Sequence, residues 1–298
     1  MEYKEISSIA ELFANYDAGK PEHPMISVLD FAMLNRSKVT GTAFRMGLYS
    51  VACKKVHGTM RYGRSVYDFS EGSLVFIAPG QVLEPDVNMV IEDGWIIHMH
   101  PDFLNATERG RRLTEHSFFG YDTHEALHVS ESEKTILAEC VKNIRREISQ
   151  NLDKHSHELI LSNLELLFAY CVRFYERQFL TRTKVSNETL QKFERLLNDY
   201  FAQDSLIHEG LPDVKYFASR LNLSPNYLSD LLNKYTGKTT QEHIHLKLTD
   251  KAKSLLWSTE KSVSEIAYAL GFEHASHFTK LFKSRTGVTP TEFRRQSA

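Results

Sequence analysis

The chain has 298 residues, of which 42% are hydrophobic and 25% charged, and its formal net charge is −2. That composition is ordinary for globular protein of two-domain length. It excludes a membrane-spanning helix, because the most apolar stretch, 159–179, is broken by Asn163, Glu165 and Arg173 and reads as a buried helix. The small net charge hides an asymmetry. From residue 211 onward 13 Lys and Arg stand against 8 Asp and Glu, as in a mildly basic nucleic-acid domain behind an acidic amino part. Three widely spaced cysteines, Cys53, Cys140 and Cys171, suit core packing in a reducing cytosol. The amino terminus has no basic start followed by an apolar run, so a cytoplasmic protein is expected.

In chain order, residues 6–17 (ISSIAELFANYD) predict a helix, followed by a loop around Pro21 and Pro24. From Thr42 the texture changes to strands. The runs 44–53, 61–69, 73–79 and 94–101 are short and rich in β-branched and aromatic residues, with Gly58 and the Glu71-Gly72 turn between them. Strands at this spacing predict a small barrel or sandwich. Between Glu131 and Gln150, the residues Ile136, Leu137, Cys140, Val141, Ile144 and Ile148 recur at helical spacing. A second helix over 159–179 would bury Ile160, Leu161, Leu164, Leu167, Phe168, Cys171, Phe174 and Tyr175. Such a pair either covers the β domain or forms a subunit interface. Residues 181–187 lack apolar periodicity and read as a linker.

Beyond it the chain repeats itself. Residues 217–223 match 266–272 at an offset of 49, and 228–237 match 278–287 at an offset of 50. In the second copy Ser262 and Glu265 form a capping box that starts a helix at Val263. Gly271 suits the positive φ that ends it, Phe272 plugs the core, and a new helix presents Phe278, Leu281 and Phe282 inward before Gly287 and Pro290. In the first copy Ser224 is the N-cap and Pro225 occupies N1. Helix, tight turn, helix is the helix-turn-helix, whose second member lies in the DNA major groove. The segment between the copies, 239–259, has Ile244, Leu248, Ala252, Leu255 and Leu256 on one face. A helix of about twenty residues spans roughly 30 Å, close to the ~34 Å turn of B-DNA.

With these residues the sequence resembles the AraC/XylS family of bacterial transcription regulators. The matching positions are Ile266-Ala267, Leu270-Gly271-Phe272, Phe278, Phe282-Lys283, Thr286-Gly287, Thr289-Pro290 and Phe293-Arg294. Residues 72–82 (GSLVFIAPGQV) also look like the strand-turn element of the family's cupin-like domains. The resemblance implies an α+β protein in three parts. These are a small β-barrel, cupin-like sensor domain over 1–130, a helical dimerisation or cover segment over 131–182, and an all-α domain over 183–298. The last holds two helix-turn-helix motifs joined by a long helix. By position, the first reading helix would present Asn226, Ser229, Asp230 and Asn233, and the second Ser276, His277, Thr279 and Lys280. These side chains can bond to base edges. Lys238, Lys283, Arg285, Arg294 and Arg295 are placed for phosphate. The implied partners are double-stranded DNA, a small-molecule effector, RNA polymerase and a second copy of the chain, with no membrane. Three positions depart from the family: Asp230 where a basic residue is frequent, Lys247 for an arginine, and Leu83 near a histidine of the effector domains.

The amino-terminal domain shows no catalytic constellation and no phosphate-cradling glycine loop, so neither an enzyme nor a cofactor is expected. His98 and His100, two apart on a strand, would face the same side, and with His57 they raise the alternative of a metal-dependent cupin enzyme. A core-satisfied or exposed pair is the plainer reading, and it also serves His124 and His128, which would share a helix face. An effector would sit among Phe44, Tyr49, Tyr62, Tyr67, Phe69 and Phe76, unless these aromatics simply fill the barrel. A sequence-indifferent architectural DNA binder is the other alternative.

Overall fold

Alternating side chains build two five-stranded sheets in the amino-terminal half of the computed structural model, which describes residues 3–34, 43–57, 59–62, 65–68, 72–85, 90–181, 183–202 and 205–297. One sheet has the order β1 (Lys4–Ile6), β3 (Phe44–Met46), β8 (Val82–Pro85), β5 (Thr59–Tyr62), β6 (Ser65–Asp68). The other has β10 (Leu127–His128), β7 (Ser73–Ile77), β4 (Tyr49–His57), β9 (Val90–Met99), β2 (Ile26–Asp30). Opposed residues of an antiparallel pair share a face. Leu29, Ile96, Ala52 and Val75 therefore form one row across the second sheet, and Ser27, His98, Ser50 and Ile77 the next. The apolar members join Phe44 and Met46 of the first sheet in one core. Helix α1 (Ile9–Tyr16) closes it with Ile9, Leu12 and Phe13. The protein is thus mixed α+β.

The opposite face of the second sheet is covered by helices. Phe76 lies 4.1 Å, ring to ring, from Phe118 and 6.5 Å from Phe168 of α5 (Ser156–Thr181). Between β9 and β10 run two short helices, α2 (Pro101–Asn105) and α3 (Glu108–Thr114), which lay outside the sequence reading. Helix α4 (Glu131–Ile148) opens on a capping box at Ser130 and Glu133 and joins α5 through Arg177, whose Nε donates to Glu133 at 2.9 Å. All eight inward residues expected on α5 are buried.

Several expectations are corrected. The run 44–53 is two strands in different sheets, because the chain turns at Gly47, where a Cβ would stand 3.1 Å from the Ile6 carbonyl oxygen. The supposed linker is helical: residues 183–187 open α6 (Thr183–Ala202). The three described members of the expected aromatic pocket do not face one space. Phe44 points into the core shared by the sheets, whereas Tyr49 packs on Phe119 and Phe76 on Phe118, across the second sheet. The side chains of Tyr62 and Tyr67 and the whole of Phe69 lie outside the described residues, as does the His57 side chain. His98 and His100 do not share a face. His98 is buried with its Nδ1 2.8 Å from Ser50 Oγ, while β9 has ended before His100, which caps α2 by accepting from the Asp102 amide. His124 sits in a 3-10 turn and His128 on β10, so no helix aligns them. Asp122, His124 and Glu125 bring ligand atoms within 4.8 Å of one another, but Glu125 accepts from the Asp122 amide at 2.6 Å and so closes its own turn.

Two compact units result, Met1–Thr181 and Arg182–Ala298. The second is all helical: α6, α7 (Ser205–His208), α8 (Val214–Leu221), α9 (Pro225–Thr236), α10 (Thr240–Ser258), α11 (Val263–Ala269), α12 (Ala275–Thr286) and α13 (Pro290–Ser297). One apolar core runs through it, from Phe193 on α6 through Leu228, Ile244 and Leu256 to Ile266 and Phe282.

Candidate nucleic-acid interface

The two repeat copies fold by the same local chemistry. Helix α8 starts at Asp213, whose carboxylate accepts from the Tyr216 amide at 2.8 Å, and ends at Asn222, with φ +54°. That left-handed residue lets the Leu223 amide reach back to the Ala218 carbonyl at 2.9 Å. Helix α11 starts at the capping box of Ser262 and Glu265 and ends before Gly271, with φ +83°. The Phe272 amide returns to Ala267 at 3.0 Å. Each turn feeds a twelve-residue helix, α9 or α12, that closes on a left-handed glycine, Gly237 or Gly287. Even the last turns agree. Thr236 donates to the Leu232 carbonyl and accepts from the Lys238 amide, and Thr286 does the same with Phe282 and Val288.

Burial fixes which way these helices face. Helix α9 buries Tyr227, Leu228, Leu231 and Leu232, and α12 buries Phe278 and Phe282. Asn226 and Asn233 are therefore exposed together on α9, with Ser229 and Asp230 half-buried between them. Ser229 donates to Thr240 Oγ1 at 3.1 Å, so its hydroxyl is partly occupied. On α12, Ser276, His277, Lys280 and Lys283 are exposed. Thr279 is half-buried and donates to the Ala275 carbonyl at 3.0 Å. Ser276, Thr279, Lys280 and Lys283 follow the i, i+3, i+4, i+7 spacing of one helix face. Helix α12 begins at His274, which makes no side-chain cap; the His277 amide bonds to the His274 carbonyl at 3.1 Å.

The cations divide. Lys238, Lys283, Arg285 and Arg295 are exposed. Arg294 is not available in the same way: its Nε donates to the Leu256 carbonyl at 3.1 Å and an Nη to Lys261 at 2.6 Å, which ties α13 to the end of α10. Sequence reasoning also missed His245 on α10. Its Nδ1 is 3.0 Å from an Arg285 Nη and its Nε2 is 2.8 Å from Gln241 Nε2. Burial first, and the Arg285 charge second, hold its pKa below the usual histidine value, which favours the neutral form that can accept. The i, i+4 spacing of Gln241 and His245 was visible, but the partner forty residues on was not.

Two such elements around one core define the second unit as a double helix-turn-helix domain. Residues 217–296 match a helix-turn-helix domain family model. The chain is 30% identical over 149 residues, half of each chain, to the HTH-type transcriptional activator RhaS of Enterobacter sp. strain 638. It is 30% identical over 135 residues to RhaS of Salmonella newport, covering 45% of this chain and 46% of that one. Thus it spans about half the length of the curated relatives it matches. A transcriptional regulator with an AraC-type DNA-binding domain from Chromobacterium violaceum is 25% identical, with a TM-score of 0.33. The likeness covers 39% of this chain and 96% of that one. Residues 217–296 thus carry a helix-turn-helix domain, the part of the chain on which its resemblance to the AraC/XylS family rests.

Proposed function

We propose that the protein is a cytoplasmic transcription regulator that binds double-stranded DNA sequence-specifically through α9 and α12. The observation that carries this reading is the repetition itself: two helix-turn-helix elements with matching caps and turns, each presenting polar side chains outward. Helix α10 between them has 19 residues and rises about 28 Å, comparable with the ~34 Å repeat of the duplex. Asn226, Asn233 and Asp230 on one helix and Ser276, His277 and Lys280 on the other read base edges, with minor contributions from Ser229 and Thr279. Lys238, Lys283, Arg285 and Arg295 hold phosphates, whereas Arg294 serves the fold.

The first unit acts as a sensor, and no catalytic step is assigned to it, since His98 and His100 do not converge. Pairing of two chains runs along the uncovered side of α5. There Leu159, Leu166 and Leu180, spaced by multiples of seven, are 48%, 47% and 56% exposed. RNA polymerase is the further partner of such a regulator at a promoter.

Competition binding with substituted sites tests the reading. Asn226→Ala and Lys280→Ala should each relax preference at different positions of the site, by about 1–3 kcal/mol per base pair. Uniform weakening across all sequences by both variants would refute base reading by these helices.

A further inference from the structure

Strand β2 leaves one edge unpaired among the described residues, and a cavity of about 360 Å³ runs along that edge. It straddles the strand. Phe13, Ser27 and Leu29 line it on the core side, and Ile26, Arg145 and Ile148 on the side of α4. Two polar atoms in its wall have no partner among the described residues. Ser27 is 4% exposed and its Oγ is buried and unbonded. Arg145 grips Asp30 with its terminal nitrogens at 2.6 and 2.8 Å, yet its Nε is buried and unbonded. Next to Ser27 in register stands His98, whose Nε2 is a third unbonded buried atom. Buried donors without acceptors are rare and costly in folded proteins. Here two of them border one empty volume.

We propose that this cavity binds a small uncharged molecule with an apolar body and a carbonyl or hydroxyl oxygen. The Ser27 hydroxyl donates to that oxygen on the core side of the strand, the Arg145 Nε–H is the polar group offered on the α4 side, and Phe13, Ile26, Leu29 and Ile148 hold the body. The preference for an uncharged ligand follows from the lining, in which Lys20 and Arg145 are balanced by Glu22 and Asp30. Arg145 is already neutralised, so a net charge entering an apolar space gains little against its desolvation. The volume is that of a small-ligand pocket. This rests on the sensing role proposed above and gives it a seat at the β2 edge, away from the aromatic residues the sequence suggested. Since Arg145 belongs to α4, and α4 is joined to α5 by Arg177 and Glu133, occupancy bears directly on the helical cover.

Calorimetric titration of the full chain with hexanamide, hexanoate and hexylamine tests the proposal. It would be run on the wild type, Ser27→Val and Ser149→Trp, each checked by circular dichroism. Valine removes the hydroxyl while suiting a strand. Tryptophan at the exposed rim residue Ser149 fills the mouth without entering the core. Hexanamide should bind saturably and at least about tenfold more tightly than either ion, and both variants should weaken it about fivefold or more. Absence of saturable hexanamide binding, tighter binding of an ion, or a folded variant that binds like the wild type would overturn it. DNA binding by the same preparations separates the two readings. Failure of the probe with intact DNA binding rejects this site alone, and intact probe binding without DNA binding rejects the regulator.

Discussion

Arg285 and Arg294 sit on neighbouring helices with opposite fates: one guanidinium is exposed beside His245, the other is spent on the carbonyls of Leu256 and Lys261. Arg294→Met should therefore destabilise the second unit by about 1–3 kcal/mol in urea unfolding, with little change in the salt dependence of DNA binding. Lys283→Ala should leave stability intact but lower affinity for every sequence and reduce the salt slope by about 1. The converse pattern would exchange their roles. His98 carries a second prediction. Burial lowers its pKa to about 3, so the unfolded chain takes up a proton near pH 6.5 that the folded chain refuses. Stability from this residue is complete above pH 6.5, falls as the pH drops below it, and is gone below about 3, with a slope of up to about 1.4 kcal/mol per pH unit. His98→Gln should flatten the urea-stability profile of the first unit over that window; an unchanged profile would show that His98 does not titrate this way.

At the level of elements, the two turns are chemically equivalent but sterically different. A Cβ on Gly271 would meet the Leu206 carbonyl oxygen at 2.7 Å and the Gly210 backbone at 2.9 Å, at a φ of +83°. Gly271→Ala should cost roughly 2–3 kcal/mol or more, because both strain and overlap act on backbone that cannot swing away. Asn222 holds its turn without glycine, and Asn222→Gly should stay within about 0.5 kcal/mol. Thermal or urea unfolding distinguishes these cases, and equal effects would remove the close approach as the cause. The contrast also explains what could be read from the sequence. Caps and turns such as Ser262, Pro225, Gly237 and Gly287 act within a few residues, so α9 to α12 and their outward faces were legible. The break between β3 and β4 was not, since Gly47 answers to the carbonyl of Ile6 in another strand. Nor was the sequestration of Arg294, which depends on carbonyls more than thirty residues away. Alternation marked Phe44, Tyr49 and Phe76 as strand residues but not which side of which sheet each would face.

For the whole molecule, the mildly basic carboxyl-terminal part and the acidic amino-terminal part correspond to two units that divide at Thr181 and Arg182. If chains pair along α5, Leu166→Glu with Leu180→Glu should convert a dimer to a monomer in sedimentation, while each chain remains folded. A dimer that survives both charges would exclude that face. Pairing would present four reading helices, but the central claim needs only one chain: α9 and α12 read two adjacent stretches of one site. Selection of random DNA by the full-length protein at near-physiological salt tests it most directly, repeated with Asn226→Ala and Lys280→Ala. The expected result is a bipartite motif with halves about 10 base pairs apart, one half relaxed by the first substitution and the other by the second. A single short motif altered by both variants, or no enriched sequence at all, would contradict it.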